Sequence, residues 1–215
     1  TGLAFGPNGN LFGCKDSKQV MRFDAEGKMQ VIIEDTPCHG LVTLPTGFYI
    51  NDQATPTIRW STYEGGVLNV LPLTEAVSGL APTADQSFVH LLSPISQATT
   101  HARIAADNTL EHRQQFGYLH LPYLNSKSGA SAVVVDTEGR GYVATTVGIQ
   151  VIDQLGRVHF VISSPTTAPI NGLAFGGARR DTLFVTAGSN VYRRTLKAKG
   201  VATFEAPIEP PKPGL

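Results

Sequence analysis

The sequence holds two cysteines, one tryptophan and two methionines in 215 residues. Two cysteines make no disulfide framework, so a packed interior has to hold the chain together. An excess of charge of one sign is missing too, since 17 Lys and Arg balance 17 Asp and Glu. That excludes the basic surplus on which general nucleic-acid or membrane-surface binding rests. No apolar run approaches the roughly 20 residues of a membrane-spanning helix. No segment keeps a helical period over about eleven residues. A Gly-rich phosphate loop, His-Glu-x-x-His and Cys-x-x-Cys are all absent. The chain opens at Thr1, one residue ahead of a repeat and without a starting Met or leader. It therefore reads as cut from a longer protein, which leaves the compartment open: soluble, with export or a periplasmic location compatible.

What the chain does have is one phrase said five times. Gly-Leu-Ala or a close variant is followed by a turn and then by a strand that carries an aromatic residue. The phrase starts at Gly2, Gly40, Gly79, Ala132 and Gly172, and the later strands carry Phe12, Tyr49, Phe88, Tyr142 and Phe184. A β-rich repeat of about 40 residues is the signature of a propeller blade. The reading is an all-β propeller of four-stranded antiparallel blades over 1–206, with a Pro-rich extended tail over 207–215. In the first blade Pro7-Asn8-Gly9 supplies a tight turn with positive φ. The last blade is expected to place its fourth strand at 201–204, and an insertion at 117–129 separates the third blade from the fourth. Five blades either close by themselves or are five of six. The cut at a repeat boundary favours six, and strand edges of an unclosed ring are open to pairing with a second copy.

Propellers bind ligands at the mouth of the central channel. The residues just before the inner strands form a ring there: Thr1, His39, Ser78, Ser131 and Asn171. The loops after the second strands begin near Asp16, Asn51-Asp52, His90, Thr145 and Ala187. The ring is polar throughout and contains no carboxylate. A hard cation needs several oxygen ligands, usually with a carboxylate among them, and Asp16 and Asp52 alone could supply one. The bland reading is that these residues cap strand starts and hydrate the channel. Cys14, Cys38 and His39 allow a soft-metal cluster, a packed thiol pair, or a disulfide between neighbouring blades. Ser131 lies outside any Gly-x-Ser-x-Gly elbow and reads as a channel serine.

Three stretches resemble one family. They are Ser128-Gly129-Ala130-Ser131-Ala132-Val133 with Gly139-Arg140-Gly141-Tyr142-Val143, then Asp181-Thr182-Leu183-Phe184-Val185-Thr186, and Phe48-Tyr49-Ile50-Asn51-Asp52. Their order and spacing are similar to blades of the gluconolactonase, senescence marker protein and luciferin-regenerating enzyme family. The resemblance implies a six-bladed propeller that hydrolyses sugar lactones and related esters with a divalent cation in the channel. It also implies the positions of the metal ligands. The family's two Asn ligands fall on His39 and Ser78, its Asp base falls on Ser131, and its Glu has no counterpart. The expectation is a family member without the metal site, binding a small polar molecule or a protein partner at His39, Asn51, Asp52, Ser78, Ser131, Asn171 and Asp16. No cofactor is then expected. The alternative is a lactone or ester hydrolase whose relocated ligands, among them His39, Asn51 and Asp52, hold calcium, zinc or manganese.

Overall fold

The computed structural model describes residues 2–213 and is built almost entirely of antiparallel strands. Blade 1 consists of β1 (Leu3–Phe5), β2 (Leu11–Lys15), β3 (Gln19–Phe23) and β4 (Met29–Ile33). Blade 2 consists of β5 (Gly40–Leu44), β6 (Gly47–Asn51), β7 (Thr57–Thr62) and β8 (Val67–Pro72). Blade 3 has β9 (Gly79–Pro82), β10 (Phe88–Leu92), β11 (Ala98–Ile104) and β12 (Leu110–Tyr118). Blade 4 has β13 (Ala132–Val135), β14 (Gly141–Thr145), β15 (Gly148–Ile152) and β16 (Val158–Ile162). Blade 5 has β17 (Ile170–Gly176), β18 (Thr182–Ala187) and β19 (Asn190–Thr195). The expected propeller is therefore present, with blades paired in simple chain order.

The core lies between blades rather than inside one. Phe12 and Val20 of blade 1 meet Leu41, Phe48 and Ile50 of blade 2. Tyr49 and Trp60 meet Leu80 and Leu91 across the next seam. Ala81 and Leu92 meet Val133, Val143 and Ile152, and Tyr142, Ile149 and Val151 meet Leu183 and Val185. This explains why β6, β14 and β15 are buried along their whole length. A middle blade is covered on both faces, so its strands lose the one-sided alternation of an exposed sheet. Among the described residues no fifth apolar cluster joins blade 5 back to blade 1, and the ring has an open seam there.

Blade 5 corrects one expectation. Residues 201–204 do not form its fourth strand, and its sheet has three. After β19 the chain turns inward beneath the ring. Gly200 bridges Asp136, and the Val201 N–H donates to the Val135 carbonyl at 3.1 Å. Gly200 lies against the Phe175 ring, where a Cβ would sit 2.1 Å from Phe175 Cβ. The apolar run that suggested a strand is satisfied by the floor of the channel instead of by the blade's outer edge. The inserted segment also differs from its expected limits, because Gly117 and Tyr118 belong to β12. The rest of it is pinned by Gln150, which donates to the His120 carbonyl and accepts from the His120 N–H.

Candidate functional site

Each inner strand begins at the upper end of the channel and ends at the lower. The residue before the strand donates its backbone N–H to the end of the second strand. His39 reaches the Asn51 carbonyl at 2.8 Å, Ser78 the Leu92 carbonyl at 2.8 Å, and Ser131 the Ala144 carbonyl at 3.1 Å. That repeated bond places His39, Ser78 and Ser131 around one upper cavity of about 730 Å³, and Asn171, which lies within β17 at a break in register rather than before the strand, joins them there. Asn51, Gln53 and Thr186 line it as well. Thr1 of the expected ring lies outside the described residues.

The ring side chains have a second task. The Ser78 hydroxyl donates to the Ala130 carbonyl at 2.6 Å, and the Ser131 hydroxyl to the Ile170 carbonyl at 2.7 Å. Asn51 Nδ2 donates to the Val77 carbonyl at 2.9 Å. Each bond ties one blade to the next, satisfying carbonyls that the strand starts leave without ladder partners. With its proton so engaged, a serine oxygen keeps only acceptor capacity for anything else that reaches it.

Asp16 and Asp52 do not line this cavity. Asp16 is exposed in the loop after β2, with φ of 51°. Asp52 is buried and accepts from the backbone N–H groups of Ala54 and Thr55 and from the Thr55 hydroxyl at 2.7 Å. Burial raises its pKa, but these donors prevail and hold the carboxyl below its ordinary value. Other carboxylates are used in the same way. Asp136 accepts from the N–H groups of Glu138 and Arg140 and from Arg140 Nε. Asp153 repeats the pattern with Leu155, Arg157 and Arg157 Nε. Against burial, the donors around Asp153 bring its pKa down to about 2. Among the described residues no three His, Cys, Asp or Glu side chains converge as a metal site.

Cys14 and Cys38 form a disulfide across the seam between blades 1 and 2, with Cα atoms 5.4 Å apart. Their sulfurs bind each other, which removes the soft-metal cluster. His90 is also not a loop residue. It lies within β10, fully enclosed, and its Nδ1 meets His101 Nε2 at 2.7 Å. Burial lowers the pKa of both, and the charge of His101 lowers that of His90 further; His101 falls to about 4 despite Asp85 nearby. The pair was legible as alternation, since Val89-His90-Leu91 and Thr100-His101-Ala102 put both rings at opposed positions. Gln53 lies in the loop after β6 that was expected at the mouth, whereas Thr186 was missed there. Thr186 of β18 pairs with Gly172 as Asn51 of β6 pairs with Gly40, which sets the two at one level.

Below the polar ring the channel changes character. A second cavity of about 720 Å³ is lined by Leu3, Phe5, Val42, Val135, Phe175 and, from beneath, Phe204. Phe184 of β18 lines both cavities, as do Leu3, Leu41, Leu80 and Val133 of the inner strands, so the two join along the channel.

An upper polar mouth on radially arranged antiparallel blades defines the class: a β-propeller. Three solved structures share it. One, assigned as a gluconolactonase, superimposes with a TM-score of 0.80 over 94% of this chain and 75% of its own, at 15% identity. A gluconolactonase from Xanthomonas campestris gives 0.76 over 91% and 71%, at 19% identity. A luciferin-regenerating enzyme gives 0.57 over 96% and 94%, at 16% identity. At these identities the likeness establishes the fold. No protein-family model and no curated protein matches the sequence.

Proposed function

We propose that this propeller binds a small neutral molecule rich in hydroxyl groups, a polyol or sugar lactone, at its upper mouth, without a metal ion. The ring of His39, Ser78, Ser131 and Asn171 around one cavity carries the reading. It offers neutral side chains, and the two serines spend their protons on the next blade, which favours a ligand that donates hydrogen bonds. A gluconolactonase shares the fold, which makes the sugar-lactone shape the natural first probe. Hydrolysis is not part of the proposal, because the ring position matching the family's base is Ser131, whose neutral hydroxyl is far too weak a base to work as a carboxylate does. The Cys14–Cys38 bridge supports an exported setting, since such bonds persist in oxidising compartments.

The test is calorimetric titration with a panel of sugar lactones and polyols, with calcium, zinc and manganese added separately. Saturable binding that is unchanged by chelator and weakened about tenfold or more by Asn171→Leu is expected. The alternative hydrolase would announce itself by a divalent cation that raises the melting temperature, as a ligand of the native state must. Turnover lost on Asp52→Ala or His39→Ala would complete that case and end this one.

A further inference from the structure

Taking the upper mouth as a polyol site, as above, we propose that its ligand is an amphiphile. A hydroxyl-rich head sits in the polar ring, and an unbranched alkyl tail runs into the channel below it. The two cavities follow one another along the channel and are nearly equal, at about 730 and 720 Å³. Leu41, Leu80, Val133, Leu173 and Phe184 line both, so blades 2 to 5 together build an apolar neck between them. Above the neck stand His39, Asn51, Ser78, Ser131 and Asn171. Below it stand Val42, Ala81, Val135, Phe175 and Phe204. A ligand confined to the ring would leave the neck and everything under it in water.

Thr43, Thr203 and Arg180 are the polar side chains of the lower lining, and each is already engaged. The Thr43 hydroxyl donates to the Phe5 carbonyl at 2.6 Å, so the Thr203 hydroxyl donates to Thr43 at 3.1 Å. Both arms of the Arg180 guanidinium hold the Glu205 carboxylate. A polyol pushed down to this level would give up hydrogen bonds to water for few in return. An alkyl chain gives up none, and it takes its own surface and that of the lining out of water. The cavity also has a floor. Val201, bonded to the Val135 carbonyl, and Phe204 close it from beneath. Polar at the top, apolar through the neck and closed below, the channel fixes which end of an amphiphile enters first.

Calorimetric titration with methyl, butyl and hexyl glucoside, all below micelle formation, supplies the test, with hexanol as a tail that lacks a head. Affinity should rise along the series, by about tenfold or more from methyl to hexyl. Hexanol should bind about tenfold or more weakly than hexyl glucoside. Phe204→Glu, which sets a charge on the cavity floor, should remove most of the hexyl gain, whereas Phe204→Leu should keep it. Equal affinity for methyl and hexyl glucoside overturns the tail and leaves the polyol site standing. Hexanol that binds as tightly as hexyl glucoside overturns the amphiphile as well, because the apolar cavity would then act alone. A hexyl gain untouched by Phe204→Glu puts the tail elsewhere and overturns its placement. If the glucosides and the sugar-lactone and polyol panel all fail to bind, the polyol reading of the mouth falls and the amphiphile falls with it.

Discussion

His90 and His101 share a hydrogen bond of 2.7 Å inside blade 3, with the His101 ring stacked on Phe88 and Phe116. One ring donates and the other accepts, which the neutral pair already satisfies, so a bound proton adds a buried charge without adding the bond. Burial holds the pKa of His101 near 4 in the fold, against an ordinary 6.5 in the unfolded chain. Below about 6.5 the unfolded chain therefore binds the extra protons. Stability is complete above that value and falls as the pH drops toward 4, by up to about 1.4 kcal/mol per pH unit for each proton. Melting temperatures between about pH 8 and pH 5 should show the decline. The double variant His90→Leu with His101→Phe should flatten it, and an equal decline in that variant would assign the effect elsewhere. Asp85, which faces His101, offsets the loss without reversing it. The aspartates follow a different logic. Asp24, Asp52, Asp85, Asp107, Asp136 and Asp153 each accept from backbone N–H groups of the turn that follows. A carboxylate tied to its own hairpin is poorly placed to reach inward toward a cation.

At the level of elements, the hairpins were easy to read and the exit of the last one was not. Pro7-Asn8-Gly9 announced its turn through residues suited to positive φ, and Asn8 and Gly9 adopt φ of 60° and 73°. The inner strands were legible because each carries the same phrase, a small residue followed by Leu or Val and then Ala or Val. Residues 201–204 failed because an apolar run of four reads alike whether it covers a blade edge or a channel floor. Likewise the ring positions could be placed from the repeat, but the interblade bonds of Ser78 and Ser131 depend on carbonyls 52 and 39 residues away. No local pattern carries such a partner. The bond between Cys14 and Cys38 lay between the two, one of three readings that the sequence allowed. It closes a separation of 24 residues across the first seam, which limits the unfolded chain by about 3 kcal/mol. The double variant Cys14→Ser with Cys38→Ser should lose that amount in denaturant unfolding. Reduced wild-type protein should match it, and an unchanged midpoint would show that the seam is held by packing alone.

For the whole molecule, the question is what keeps an unclosed ring in shape. Four seams are packed with apolar side chains, but the open seam lets blade 5 swing away from blade 1 at no cost in buried surface. The segment after β19 opposes that motion from below. The Lys199 carbonyl accepts from Thr137 and Val201 donates to Val135, both in blade 4. The Thr203 hydroxyl meets Thr43 of blade 2 at 3.1 Å, and its carbonyl accepts from Gln86 of blade 3 at 3.0 Å. Ile208 then donates to Ala84, and Gln154 to the Pro211 carbonyl. Arg180 of blade 5 pairs with Glu205. The prolines suit this course, because extended chain with few free N–H groups can cross a surface without demanding a ladder. Ending the chain after Lys199 removes several such bonds, each worth about 1 kcal/mol, and uncovers the lower cavity lined by Leu3, Phe5 and Phe175. The truncated protein should melt roughly 6–12 °C lower, given about 2–4 °C per kcal/mol at this size, and should bind more of an apolar dye. Retention of the wild-type melting temperature would mean that the four packed seams alone hold the blades and that the strap carries no load.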